Sequence, residues 1–509
     1  MTLLRSALID RHALRAADSC GSYSPYTQYF ELDHPDISEW LGRQNIAAAS
    51  RSPVTDVESI IHHELSHWIQ AHGTSVNAML SAFRSAQLKA FMESPGFLGK
   101  EAIEGLFARR FGPGKRTMMR IGATGLGQDP LAESFPDWRA WRERWWHLQL
   151  AQRIFESPGA VLPVKQNLAH ALRESLSSLG QRQPALGSAK TPHDAEDDAT
   201  LRRLLRTDTD LTILLEGFAS ANQLIYYGLA KKVEDSPWLH DRIDSTIRSI
   251  AETAYGKAIR QFVARSPDAK ADIARGMLIV CAIIDLALNP PLDELIGIVR
   301  DGGPLTPALI AVFPANRFEK LCEAATGMSS IRLDADDETI RAFQYELLER
   351  ARLSRATDFA VTPERVKSMG DLQYDKQTQG TLSLGDAEAF WQRCAFAVRE
   401  EHPSLFVLPS AQYLYGRAWL RPGRDEKLAA TVQPPLWSDK QHHIYFGLTH
   451  AASHCLIFWS IVASIAHDII WGRGRIDLSM YPEEVVHSGI ADNAMKSVFH
   501  HFGFEAGGA

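Results

Sequence analysis

The chain has 509 residues, 45% of them hydrophobic and 23% charged, enough for a sizeable core and the length of two to four domains or one large two-lobed enzyme. Its 54 basic and 61 acidic residues leave a formal charge of -7, which argues against a nucleic-acid-binding surface. The five cysteines (Cys20, Cys281, Cys322, Cys394 and Cys455) are scattered, odd in number and without C-x-x-C spacing, as in proteins of a reducing compartment. The first twenty residues carry no continuous apolar segment of the kind a secretory signal needs. The expectation is a cytoplasmic protein, and the Ala-, Leu- and Arg-rich texture points to a bacterial source.

In chain order, YTQYFELD (residues 26–33) alternates and is aromatic, and predicts a strand. VTDVESIIHHELSHWIQAHGTS (residues 54–75) predicts a helix over about Asp56 to His72. Thr55 and Glu58 form a capping box at its start, Pro53 lies just upstream, and Gly73 is placed to stop it. GATGLG (residues 122–127) lacks the lysine of a phosphate loop and the glycine spacing of a dinucleotide fold, so it reads as a turn. In PDWRAWRERWWHLQL, Trp138, Trp141 and Trp145 fall at i, i+3 and i+7, a core stripe rather than a membrane-surface helix.

The segment RQPALGSAKTPHDAEDDA (residues 182–199) has linker composition. Helical periodicity then runs through residues 201–233, 242–263 and 340–355, and DGGPLTP (residues 301–307) is a second break. LDADDE (residues 333–338) lacks a calcium-loop glycine and reads as a solvated helix start. Residues 404–409, 411–419 and 442–448 are further strand candidates. The apolar runs at residues 277–288 and 455–466 are a dozen residues each, short of the roughly 20 that a membrane span needs, so both read as buried helices and no span is expected. His450 and His454, with His467 beyond, form another i, i+4 histidine pair but have no glutamate after the first.

These elements predict a mainly α fold with a small β component. The expected units are an N-terminal region (1–182) with the motif helix, a linker or loop (183–200), a helical region (201–300) and a C-terminal helical or α+β lobe (301–509).

The chemistry concentrates in His63-Glu64-Leu65-Ser66-His67, an H-E-x-x-H. On a helix, positions i and i+4 project from one face about 6 Å apart along the axis, so two imidazoles can share a metal ion. Glu64 lies one step round, where a carboxylate can reach the attacking water without ligating the metal. His72 is five residues past His67, with Gln70 where a metzincin has its bend glycine, and rotates off the histidine face. A third ligand is sought in ILLEGFASANQLIYYG (residues 213–228). There Glu216 sits in an apolar helical run, expensive for a carboxylate unless it is paired or metal-bound. Gly217 and Ala219 offer a close helix approach, and a solvent-facing glutamate is the simpler alternative. Ser220 and Gln70 are each about one turn from a prospective ligand and placed to orient it or to touch substrate. Tyr226 and Tyr227 lie too far along the helix for oxyanion work, Tyr227 about 16 Å from Glu216.

H-E-L-S-H-W-I-Q followed by a distant E-G-F-A resembles the gluzincin branch of H-E-x-x-H zinc metallopeptidases. The resemblance covers two short segments, and their separation of about 150 residues is long for that branch. It implies a zincin-like core with additional helical lobes, Zn2+ held by His63, His67 and Glu216, Glu64 as general base, and a protein or peptide substrate. Two alternatives stay open: a helical regulatory or interaction protein with a structural or degenerate zinc site, and a metal-dependent hydrolase of a non-peptide bond.

Overall fold

The computed structural model describes residues 21–24, 29–32, 56–97, 121–122, 125–126, 136–179, 192–231, 236–266, 273–328, 331–354, 384–409, 436–439, 444–446, 458–459, 461–463 and 490–501. These residues are mainly helical. In chain order the elements are β1 (Gly21–Ser24), β2 (Tyr29–Leu32), α1 (Asp56–Gly73), α2 (Ser75–Phe97), α3 (Pro136–Glu156), α4 (Leu168–Ser178), α5 (Asp194–Leu204), α6 (Leu211–Ala230), α7 (Pro237–Glu252) and α8 (Lys257–Arg265). They continue with α9 (Ile273–Ala287), α10 (Leu292–Asp301), α11 (Thr306–Val312), α12 (Pro314–Ala324), α13 (Asp337–Ala351), α14 (Leu384–Glu401), α15 (Pro403–Val407), β3 (Leu436–Asp439), β4 (Ile444–Phe446) and α16 (Ile490–His501). The strands pair in the order β1-β2-β3-β4, with β2 and β3 parallel and in register at Phe30 and Trp437.

Helix α6 is the hub. It is buried over most of its length and packs against α1, α7, α8 and α9. Its start is set by Asp210, whose side chain accepts the Ile213 N–H at 2.8 Å and divides the periodic stretch 201–233 into two helices. The stretch 242–263 is likewise divided, into α7 and α8, at residues 253–256. The acidic end of the linker-like segment is helical in α5. There Asp197, fully buried, pairs with Arg173 and accepts the backbone N–H groups of Leu305 and Thr306 at 2.9 and 2.8 Å. One continuous apolar core joins α2 to α6 with α8 to α13.

Three local expectations change. Of the strand candidate 404–409, residues 404–407 lie in the short helix α15 rather than a strand; Asp337 accepts the Ser404 N–H at 3.0 Å beside Pro403, where the turn starts. The solvated helix start at Asp337 is therefore a docking point for α15. Gly73 does end α1, but not through a left-handed conformation; a Cβ there would fall 2.3 Å from the Phe406 ring, so close packing is what requires glycine. The end of α1 is closed instead by side chains. The Thr74 hydroxyl and the Asn77 amide donate to the Gln70 carbonyl at 2.7 and 3.2 Å.

Two members of the tryptophan stripe are core, as its spacing predicts: Trp141 and Trp145 are buried, and Trp141 Nε1 donates to the Ala90 carbonyl at 2.7 Å. One segment, Gly276–Asp301, is apolar and long enough to cross a membrane by composition, yet 94% of its most apolar window is buried inside the protein. Asn289, Pro290 and Pro291 also break it into α9 and α10. The Thr55 cap, the strand candidate at 411–419 and the histidines at 450, 454 and 467 lie outside the described residues.

Candidate metal centre

Helix α1 spans Asp56 to Gly73, so His63 and His67 stand near its middle on one face. Ser59, one turn before His63, accepts a 2.8 Å hydrogen bond from the Tyr227 hydroxyl near the far end of α6. The two helices therefore run antiparallel, and Glu216, near the start of α6, comes level with the histidine pair. His63 Nε2 lies 3.4 Å from Glu216 Oε2, and His67 Nε2 lies 3.6 Å from Glu216 Oε1. The imidazole rings are edge-on, with centroids 5.0 Å apart. One ligand atom from each residue fits within 4.8 Å of the other two. Ligands about 2.1 Å from a tetrahedral ion are roughly 3.4 Å apart, so the nitrogen–oxygen separations already match that spacing.

The three side chains retain some solvent access, 21%, 12% and 22% for His63, His67 and Glu216. Glu64 is 5% exposed. Burial pushes the Glu64 carboxyl up to about 7, with the Glu216 charge adding to the rise and His63 opposing it. Burial acts on Glu216 in the same direction, but His67 and His63 outweigh it and hold that carboxyl well below the usual carboxylate range. The same surroundings thus push the two neighbouring carboxyls in opposite directions, Glu64 up and Glu216 down.

Other residues singled out from the sequence fall into different places. His72 is buried with its ring 4.0 Å from that of Trp68, and takes no part in the ligand cluster. His62 is buried against Tyr226. Ser220 is buried one turn beyond Glu216. Gln70 is 2% exposed, and neither end of its side-chain amide has a hydrogen-bond partner among the described residues. Gly217 does permit a close approach, but not of α1: a Cβ there would meet Ala258 at 2.9 Å and Ile284 at 3.5 Å, on α8 and α9.

One residue of this neighbourhood was not legible in the sequence. Tyr255 lies in the break between α7 and α8, half-buried, and the Glu216 charge adds to burial in pushing its phenol up to about 12. The only signal available was the glycine that follows it, which marks a break in the helical stretch 242–263.

The fold and the site together define a mainly helical scaffold holding a two-histidine, one-carboxylate cluster able to hold a metal ion. Comparison of the chain with protein-family models, with curated proteins and with solved structures finds no match.

Proposed function

We propose that the chain is a zinc-dependent metallopeptidase acting on a protein or peptide substrate. The observation that carries this reading is the apposition of the Glu216 carboxylate to both imidazoles of the H-E-x-x-H, with Glu64 buried beside them. Two nitrogens and one oxygen are a donor set suited to zinc, and three protein ligands leave a fourth position open for substrate or water. A zincin-like core of α1, α6 and the small sheet, whose first two strands pack on α1, accords with this reading, and the other helices are additional lobes.

A zinc ion bound there would polarise a substrate carbonyl and lower the pKa of water. His63, His67 and Glu216 would hold it. Glu64 takes a proton from the attacking water as the new C–O bond forms, then delivers it to the amide nitrogen as the C–N bond breaks. Neither oxidant nor reductant is needed. The proposal is tested with Glu64→Gln, which preserves shape and removes the base. Peptide hydrolysis is expected to be lost while zinc content and thermal stability stay near those of the parent. Full activity in that variant rules out the mechanism.

A further inference from the structure

We propose a second metal site, between α3 and α4, in which His147, His170 and Glu174 hold a zinc ion. It is separate from the His63 centre and does not depend on the peptidase reading. His170 and Glu174 are four residues apart on α4 and project from one face, and His147 comes from α3, which packs alongside. The Glu174 carboxylate lies between the two imidazoles. His147 Nδ1 is 2.5 Å from its Oε2, and His170 Nε2 is 3.7 Å from its Oε1. The rings stand edge-on with centroids 5.9 Å apart.

Asp194, at the start of α5, sets the chemistry of His170. Its Oδ2 lies 3.2 Å from His170 Nδ1, and a carboxylate there keeps the proton of a neutral ring on that nitrogen. Nε2 then presents a lone pair to a carboxylate oxygen, which also only accepts. Two acceptors turned on each other need a cation between them, and the gap says which kind. A shared proton draws nitrogen and oxygen to about 2.8 Å, whereas two ligands of one tetrahedral ion stand about 3.4 Å apart, nearer the 3.7 Å observed. Among the described residues only the His63 cluster already has three donors within 4.8 Å of one another. Here His170 and Glu174 are the preset pair, and His147 joins them by turning from its hydrogen bond to Oε2.

The frame around these residues is braced, as a metal site requires. Arg202 of α5 donates to the carbonyls of Leu162, Val164 and Gln166 in the connection from α3 to α4. Asp198 accepts the Leu168 N–H that opens α4 at 2.6 Å, and Arg173 spans Asp194 and Asp197. An ion held there staples α3 to α4, so its role is structural.

The test is calorimetric titration of the full chain with zinc chloride. Two sites are expected in the parent, and one in a chain carrying both His63→Ala and His67→Ala. In that background His170→Gln and Glu174→Gln are each expected to lower the affinity of the remaining site at least about tenfold, and Asp194→Asn, which leaves all three ligands in place, about tenfold. Circular dichroism of the metal-free variants checks the fold, and either glutamine variant that retains it serves. A single zinc in the parent that is lost with His63 and His67 overturns the second site and leaves the first standing. A second zinc bound equally well after His170→Gln and Glu174→Gln overturns it too. A single zinc that survives loss of His63 and His67 but not His170→Gln supports this site and overturns the His63 centre instead.

Discussion

Arg399 donates its Nε to the carbonyl of Gly73 at 2.8 Å, across 326 residues of sequence. The same guanidinium reaches Asp285 at 2.8 Å and lies 4.1 Å above the Phe406 ring centroid. Asp285 also accepts from Gln344 at 2.9 Å, and Asn289 links it to the Ser75 N–H that opens α2. The junction of α1 and α2 is thus held by a buried polar cluster contributed by α9, α13 and α14. Through it the carboxyl-terminal part of the chain fixes the end of the helix that carries the motif.

Breaking that cluster should be costly, because removing one partner leaves the other charge buried. Arg399→Ala is expected to lower unfolding free energy by about 3 kcal/mol. Adding Asp285→Asn should return part of that loss, because the stranded charge is then gone. Urea unfolding of the two variants and the parent checks this. If the double variant is no more stable than Arg399→Ala, the stranded charge is not the source of the cost.

The ligand geometry predicts that metal and Glu216 are thermodynamically linked. Zinc at a hundredfold excess over its dissociation constant should stabilise the parent by about 2.7 kcal/mol, read as a rise in melting temperature. In Glu216→Ala the rise should shrink strongly, since one of the three donors is lost, while the metal-free protein changes little. An equal zinc-induced rise in both proteins means Glu216 does not ligate.

Much of this centre was legible because it is local chemistry on one helix. The Thr55/Glu58 capping box, the acidic first turn and the Gly73 stop placed α1 over about 56–72, against the observed Asp56–Gly73. Glu216 stood out because a carboxylate in an apolar run needs a reason. What the sequence could not carry was long-range. Nothing local says that the turn after α7 comes up against Gly217, or that Arg399 closes α1. Residues 404–407 were misread for the same reason: their apolar pattern fits a strand, and the partner of the Ser404 N–H at the start of their helix, Asp337, is distant in sequence.

His72 is buried, and burial, with Arg84 adding to it, lowers its pKa from the ordinary 6.5 to about 3. Above pH 6.5 the ring is neutral whether the chain is folded or not, and this group adds no pH dependence. As pH falls from 6.5 towards 3, the unfolded chain takes up a proton that the folded one refuses, so stability declines. His72→Phe, which keeps the stack on Trp68, removes this linkage. Between pH 7 and pH 5 the variant should lose about 2 kcal/mol less than the parent, measured by denaturant unfolding at each pH. Parallel pH profiles would mean that His72 is protonated in the folded state.

Gln70 is the sharpest test of whether the wall of the site is built for a ligand. It follows His67 by three residues and His63 by seven, on the same face of α1, and its backbone carbonyl is already taken by Thr74 and Asn77. Its side-chain amide is buried with no partner for either end among the described residues, a cost of about 1–3 kcal/mol per unsatisfied group. Methionine has similar length and no such groups. Gln70→Met is therefore expected to raise the stability of the metal-free protein by about 1 kcal/mol, measured by urea unfolding. A fall in stability instead would mean that the folded protein satisfies the amide through a water or ligand at the site. Gln70 would then have the orienting or substrate-contacting role that its spacing from His67 predicts, and the same variant would be expected to weaken acetohydroxamate binding as well.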